Sequence, residues 1–136
     1  MGVIITGRYL GAKKMENLHE QSGSKLTTVA PLDNAGDGSS FSPTDLLATS
    51  FASCVLTTIA IKGESTGISL ERSHYRVEKI MTPPPRRVGE LRAEFHLPGA
   101  LSEEQRRLFE ATARACPVHR SLHPDVILTM AFHYDV

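Results

Sequence analysis

The sequence predicts an α+β fold with antiparallel sheet, on three observations. Strand-like runs sit next to one another instead of alternating with helices. One long apolar helix stands alone after the first three of them, and the two runs that follow it alternate apolar and polar residues with a period of two. The predicted order is βββ-α-ββ-α-β, in a single domain over residues 1–136, a length that supports a real core.

The first strand candidate is "GVIITGRYL", the second "KKMENLHE" and the third, after the turn "QSGS", is "SKLTTVAP". "PLDNAGDGSS" is a loop by its Gly, Asp and Ser content. The helix "SPTDLLATSFASCVLTTIAIKG" has Ser42 suited to the N-cap, Pro43 to the first helical position and Asp45 to the third. Gly63 suits its stop. Leu47, Phe51, Cys54, Val55, Thr58 and Ile59 fall on one stripe at helical spacing.

In "GISLERSHYRVEKIMT", Tyr75, Val77 and Lys79 face one way and His74, Arg76, Glu78 and Ile80 the other. After the stiff turn "PPPRRVG" comes "ELRAEFHLPG", where Leu91, Ala93, Phe95 and Leu97 alternate with Glu90, Arg92, Glu94 and His96. This predicts an antiparallel hairpin with one wet face. "LSEEQRRLFEATARACP" opens on a capping box, Ser102 to Gln105, and is predicted helical up to Pro117, with Leu108, Phe109, Thr112 and Ala115/Cys116 inward. A short helical or turn segment, "VHRSLHP", precedes the last strand, "DVILTMAFHYDV".

Composition narrows the function classes. Fifteen Lys and Arg balance fifteen Asp and Glu, so nothing steers the chain towards nucleic acid or anionic lipid. With no Trp, five Phe and three Tyr, a base-stacking platform has little material. The apolar helix, broken by Thr and Ser and read as ending at Lys62-Gly63, is too short and polar for a membrane span, and "MGVIITGRYLGAKK" lacks signal-peptide features. A cytoplasmic protein is expected, and there two cysteines normally stay reduced.

Chemistry rests on those two cysteines, Cys54 and Cys116. A mid-helix Cys is ordinarily a small inert hydrophobe whose thiol burial keeps protonated. Two thiols on inward helix stripes of one small core, however, could close a disulfide if their Cα atoms came within about 7 Å. A competing reading is metal: Cys116, His119 and His123 have the spacing C-x2-H-x3-H, one ligand short of a tetrahedral zinc. No G-x-S-x-G elbow or phosphate loop is present.

"DGSSFSPTDLLATSFASC", with "ACPVHRSL" some sixty residues on, resembles the OsmC/Ohr family of osmotically induced and organic-hydroperoxide-resistance proteins. The pairing of "SP-x-[DE]-LL…C" with "CPV-x-[RK]-x-L" is the specific part. The resemblance implies an intertwined homodimer, with sheets wrapped round two central helices and two thiol sites at the subunit interface. It also implies reduction of organic hydroperoxides by a thiol pair without metal, haem or other cofactor, and regeneration by a dithiol such as dihydrolipoamide. Cys54 matches the peroxidatic and Cys116 the resolving cysteine; Leu47, Phe51 and Phe109 would line an apolar substrate pocket.

Best-studied members hold an Arg near the N-terminus with a Glu early in the first helix. Here that Glu position is Thr44, with Asp45 one residue on, and Lys14 is the nearest match to the Arg, with Lys13 and His19 as further candidates. Asp45, nine residues before Cys54, lies about 13 Å away along the axis and half a turn out of phase. It would act on the partner subunit's site or by holding a basic residue there, or else serve as a helix N-terminal carboxylate. Arg120 or Arg114 could supply the cation instead. The alternative function is a non-peroxidatic protein of the same fold that binds a small ligand or thiol metabolite.

Overall fold

The computed structural model describes residues 2–136. Its order is three strands β1 (Ile5–Gly11), β2 (Lys14–His19) and β3 (Ser24–Val29), helix α1 (Pro43–Ser65), strands β4 (His74–Met81) and β5 (Val88–Leu97), helices α2 (Glu103–Ala113) and α3 (Pro117–Ser121), and strand β6 (Ile127–Tyr134). A single 3-10 turn at Leu32–Asn34 interrupts the loop before α1. This is the predicted α+β order, with α3 in the segment read as a short helix or turn. Backbone contacts divide the chain into two compact units, Met1–Leu46 and Leu47–Val136, so α1 begins in the first and runs on into the second.

The first unit holds the antiparallel sheet β1-β2-β3. β1 starts three residues later than its predicted run and ends one beyond it, β2 is one residue shorter at each end, and β3 starts where predicted and ends two residues earlier. Ala12 and Lys13 form the β1–β2 turn with positive φ, which the adjacent Gly11, also at positive φ, helps the chain to enter. The register puts Ile5, Tyr9, Met15 and Leu26 on one face and the ion-paired row Arg8–Glu16–Lys25 on the other. The α1 start is capped as the sequence predicts. Ser42 Oγ accepts the Asp45 N–H (3.1 Å), and Asp45 Oδ2 accepts the Ser42 N–H (2.9 Å).

The second unit packs α1 against the sheet β4-β5-β6. Ala48, Phe51, Ala52, Val55 and Ile59 of α1 are buried, as are Leu91, Ala93, Phe95 and Leu97 on alternate positions of β5, with Phe109 and Ala113 of α2 completing the core. Each large apolar side chain so buried contributes roughly 1.5–3 kcal/mol. Cys54, Leu47 and Thr58 lie at the margin of the α1 stripe, half-buried. Tyr134 ties β6 to α2: its hydroxyl donates to Glu110 Oε2 (2.6 Å), and the Arg106 guanidinium sits 4.2 Å over its ring.

Four expectations need correction. β4 and β5 pair antiparallel as predicted, but β6 joins β5 in parallel, because the chain crosses back through α2 and α3 before adding that strand. Helix α1 does not stop at Gly63. It ends in a Schellman turn two residues past Ser65, with Gly67 at φ +76° and the N–H groups of Gly67 and Ile68 bonded to the carbonyls of Glu64 and Gly63. At 23 residues α1 is long and apolar enough to cross a membrane by length and composition, contrary to the shorter reading. Finally, α2 ends at Ala113 rather than running to Pro117, so Cys116 and Ala115 are not on its stripe; Ala115 and Leu108, both expected to face inward, are exposed.

Gly63 is needed for close approach instead. A Cβ there would meet the Leu70 side chain and, at 2.8 Å, the Ile68 carbonyl. Gly63→Ala is therefore expected to destabilise by about 1–3 kcal/mol through overpacking, reversing the usual gain in helix propensity. Urea denaturation measures this; an unchanged or higher midpoint would contradict the packing argument.

Candidate functional site

Cys116 sits where it does because of Pro117. A residue preceding proline is pushed out of the helical region, and Cys116 has φ −64°, ψ 143°. It thereby becomes the N-cap of α3: its Sγ accepts the His119 N–H at 3.2 Å, and its carbonyl accepts the Arg120 N–H at 3.2 Å. The Cys116 side chain is 0% exposed. Burial pushes its thiol pKa up from the usual 9.0; the His119 N–H acts in the opposite direction, and the neighbouring Cys54 thiol raises it further through a hydrogen bond and charge.

Cys54 presents its thiol from α1 to the same place. Both cysteines are free thiols, not at disulfide distance, yet close enough to interact. Thr58, one turn on, donates its hydroxyl proton to the Cys54 carbonyl (2.7 Å), and Thr58 Oγ1 lies 3.9 Å from Cys54 Sγ. With its own proton committed to the carbonyl, that hydroxyl can only accept from the thiol. The His119 ring lies 6.1 Å from the Phe51 ring, and Phe51 and Phe109 are fully buried beside half-buried Leu47.

The other predicted site residues fall elsewhere. In the first unit, Lys14 Nζ lies 3.3 Å from Asp37 Oδ2, and Lys13 Nζ donates to the Ala35 carbonyl. Asp37 is held down at about 2, chiefly by its hydrogen bonds from Ser39 and secondarily by Lys14. Asp37 was not singled out from the sequence; the signal for it was the turn-forming "GDGSS". Asp45 performs the helix-capping role already described. In the second unit, Arg120 is exposed and the Arg114 guanidinium donates to the Glu110 carbonyl. The zinc spacing Cys116–His119–His123 meets other demands: His119 gives its backbone N–H to Cys116, while His123 Nδ1 accepts the Asp125 N–H at 3.0 Å.

The paired thiols, one half-buried on a long helix and one buried before a short proline-led helix, are the arrangement to compare with known proteins. The family model described as OsmC-like protein matches residues 36–131, which include α1, both cysteines and most of the second unit. The chain belongs to the OsmC family.

Among solved structures of OsmC-like proteins, a protein from Psychrobacter arcticus named for osmotic stress induction and a detoxification response is 39% identical. Its TM-score is 0.92 and the alignment covers 98% of each chain. An organic hydroperoxide resistance protein, OsmC, from Legionella pneumophila superposes with a TM-score of 0.77 at 20% identity, over 98% of this chain and 97% of the other. A Vibrio cholerae protein named for organic hydroperoxide resistance, with captopril bound in one of its active sites, gives 0.76 at 17% identity, over 100% and 93%. The last two share the OsmC fold. No curated protein matches the chain.

The burial difference within this OsmC chain predicts unequal thiol reactivity. In the reduced native protein a thiol reagent is expected to modify Cys54 at least about ten-fold faster than Cys116. Cys54→Ser should leave only the slow thiol, whose rate climbs only above its ordinary value of 9.0 because its pKa is raised. Mass-mapped alkylation over a pH series checks this; equal rates for the two would contradict it.

Proposed function

We propose that residues 1–136 act as one OsmC-like domain that reduces organic hydroperoxides through Cys54 and Cys116. The observation that carries the reading is the interacting but unbonded thiol pair, one member half-buried and the other fully buried. The Cys54 thiolate attacks the outer peroxide oxygen; the O–O bond breaks, the organic half leaves as alkoxide and takes a proton, and Cys54 becomes a sulfenic acid. The Cys116 sulfur then attacks the Cys54 sulfur, expelling water and forming the disulfide, which a dithiol of the dihydrolipoamide kind reduces by exchange. Closing the bond requires the two cysteines to move together. The apolar surroundings from Leu47, Phe51 and Phe109 favour organic hydroperoxide over hydrogen peroxide, and Lys14, Asp45 and Arg120 are the supporting charges proposed. The proposed dithiol cycle belongs to a reducing compartment such as the cytoplasm.

The active form proposed is a homodimer. Ile5, Tyr9 and Leu26, on one face of the first sheet, are 60%, 65% and 40% exposed. A single-chain surface of this kind calls for a cover, and a second copy wrapping its sheets round paired helices supplies one. Sedimentation is expected to give twice the chain mass, and Tyr9→Lys to shift it towards the monomer; a wild-type monomer at micromolar concentration would exclude this assembly.

A second reading, binding of a small thiol metabolite without turnover, is favoured by the neutral Thr58 contact of Cys54. Stopped-flow consumption of cumene hydroperoxide with a dithiol separates the two. Peroxidase chemistry predicts a loss of at least about 10²-fold in Cys54→Ser. It also predicts a sulfenic acid, trapped by dimedone, in Cys116→Ser. Unchanged slow consumption in both variants would sink the catalytic reading.

A further inference from the structure

The outer face of the second sheet carries a row of three histidines, half of the six in the chain. His74 on β4 is the register partner of His96 on β5, which is the register partner of His133 on β6. Alternation fixes the face: Leu91, Ala93, Phe95 and Leu97 point inward and are buried, so Glu94 and His96 point outward. The rings are stacked, with centroids 4.5 Å apart at 7° for His74–His96 and 4.9 Å at 21° for His96–His133.

Two further features distinguish this row from an accident of pairing. Glu94, two residues before His96 on the same face, brings a carboxylate oxygen to the His96 and His133 nitrogens, and the three ligand atoms lie within 4.8 Å of one another. On the other side Asp135 sets both carboxylate oxygens 2.9 Å from His96 Nδ1. A carboxylate can only accept, so Nδ1 is the donor to Asp135, and Nε2 is the nitrogen left for a ligand. A carboxylate holding the far nitrogen of an imidazole is the usual second partner of a metal-ligating histidine.

We propose that Glu94, His96 and His133 form a binding site for a divalent late first-row transition-metal ion of the zinc and copper class, with Asp135 orienting His96. Two imidazoles and one carboxylate are the donor set such ions prefer over magnesium or calcium. Bonds of about 2.0–2.2 Å require the donor atoms to close to about 3.3 Å, which rotation of surface side chains provides. His74, stacked on His96, holds the ring plane and is a positioning residue. Arg76, the cross-strand partner of Glu94, adds a positive charge that limits affinity. The site is on the opposite face of β5 from the buried core, so it is independent of the thiol chemistry.

Zinc chloride titrated calorimetrically into the reduced protein tests this, with Cys54→Ser/Cys116→Ser as a parallel background that removes thiol ligands. The expected result in both is one ion per chain, weakened at least about ten-fold by His96→Gln, His133→Gln or Glu94→Gln and about ten-fold by Asp135→Asn. His119→Gln/His123→Gln should leave binding intact. Circular dichroism establishes that each variant is folded, and the copper-loaded Cys54→Ser/Cys116→Ser protein, which has no thiol to reduce Cu(II), should show an electron paramagnetic resonance spectrum with coupling to two imidazole nitrogens. Binding that follows Cys54 and Cys116 instead, or that is equal in wild type and a folded His96→Gln/His133→Gln protein, would overturn the proposal.

Discussion

The second unit depends on one packing contact: the α1 face of Phe51, Ala52, Val55 and Ile59 against the inward positions of β5. A helix can bury such a stripe only if the sheet presents a continuous apolar face, and β5 does so by strict alternation from Leu91 to Leu97. A one-residue slip of β5 would send Glu90, Arg92, Glu94 and His96 into the core, at a cost no compensating contact could offset. That constraint fixes both chemical features of the unit. It sets the rotation of α1, and with it the position of Cys54 at the edge of the stripe. It also fixes the outward row to which His96 belongs.

The placement of Cys116 follows from a separate local rule. Pro117 ends any helix running into it and starts α3, so Cys116 is extended and its sulfur turns back to cap the new helix. Sulfur is a weak acceptor, and a serine would cap more strongly. The sequence uses the weaker cap at a position with no solvent exposure. Capping by itself therefore does not account for a cysteine there.

Much of this was legible in the sequence because short-range rules govern it. The Ser42–Pro43–Asp45 start of α1, the Ser102–Gln105 box of α2 and the period-two pattern of β5 each rest on neighbours within four residues, and each is present. The errors arose where a local signal competed with a distant partner. Gly63 reads as a helix stop, but glycine is there because the Ile68–Leu70 segment returns over it. Cys116 fits the α2 period, yet the proline one residue on overrides periodicity. The parallel entry of β6 and the row His74–His96–His133 are invisible to any window, since they depend on which strands become neighbours. The Lys14–Asp37 pair is likewise set by how the loop folds back, with Asp37 locked by Ser39.

The two thiols are chemically identical, and their surroundings divide the work between them. Burial first, and the neighbouring Cys54 thiol after it, push the Cys116 pKa above its ordinary value. A protonated neighbour has a use: its S–H can donate to a Cys54 thiolate and stabilise it without a cation. In many thiol sites an arginine or lysine does that work, yet the charges nearest in sequence to Cys116 are spent or exposed, Arg114 on the Glu110 carbonyl and Arg120 in solvent. Thr58 Oγ1 offers the Cys54 thiol an acceptor, and the Cys116 thiol is its sulfur neighbour. The two sulfur contacts of Cys54 within one chain are therefore both weak, one to a hydroxyl and one to a thiol.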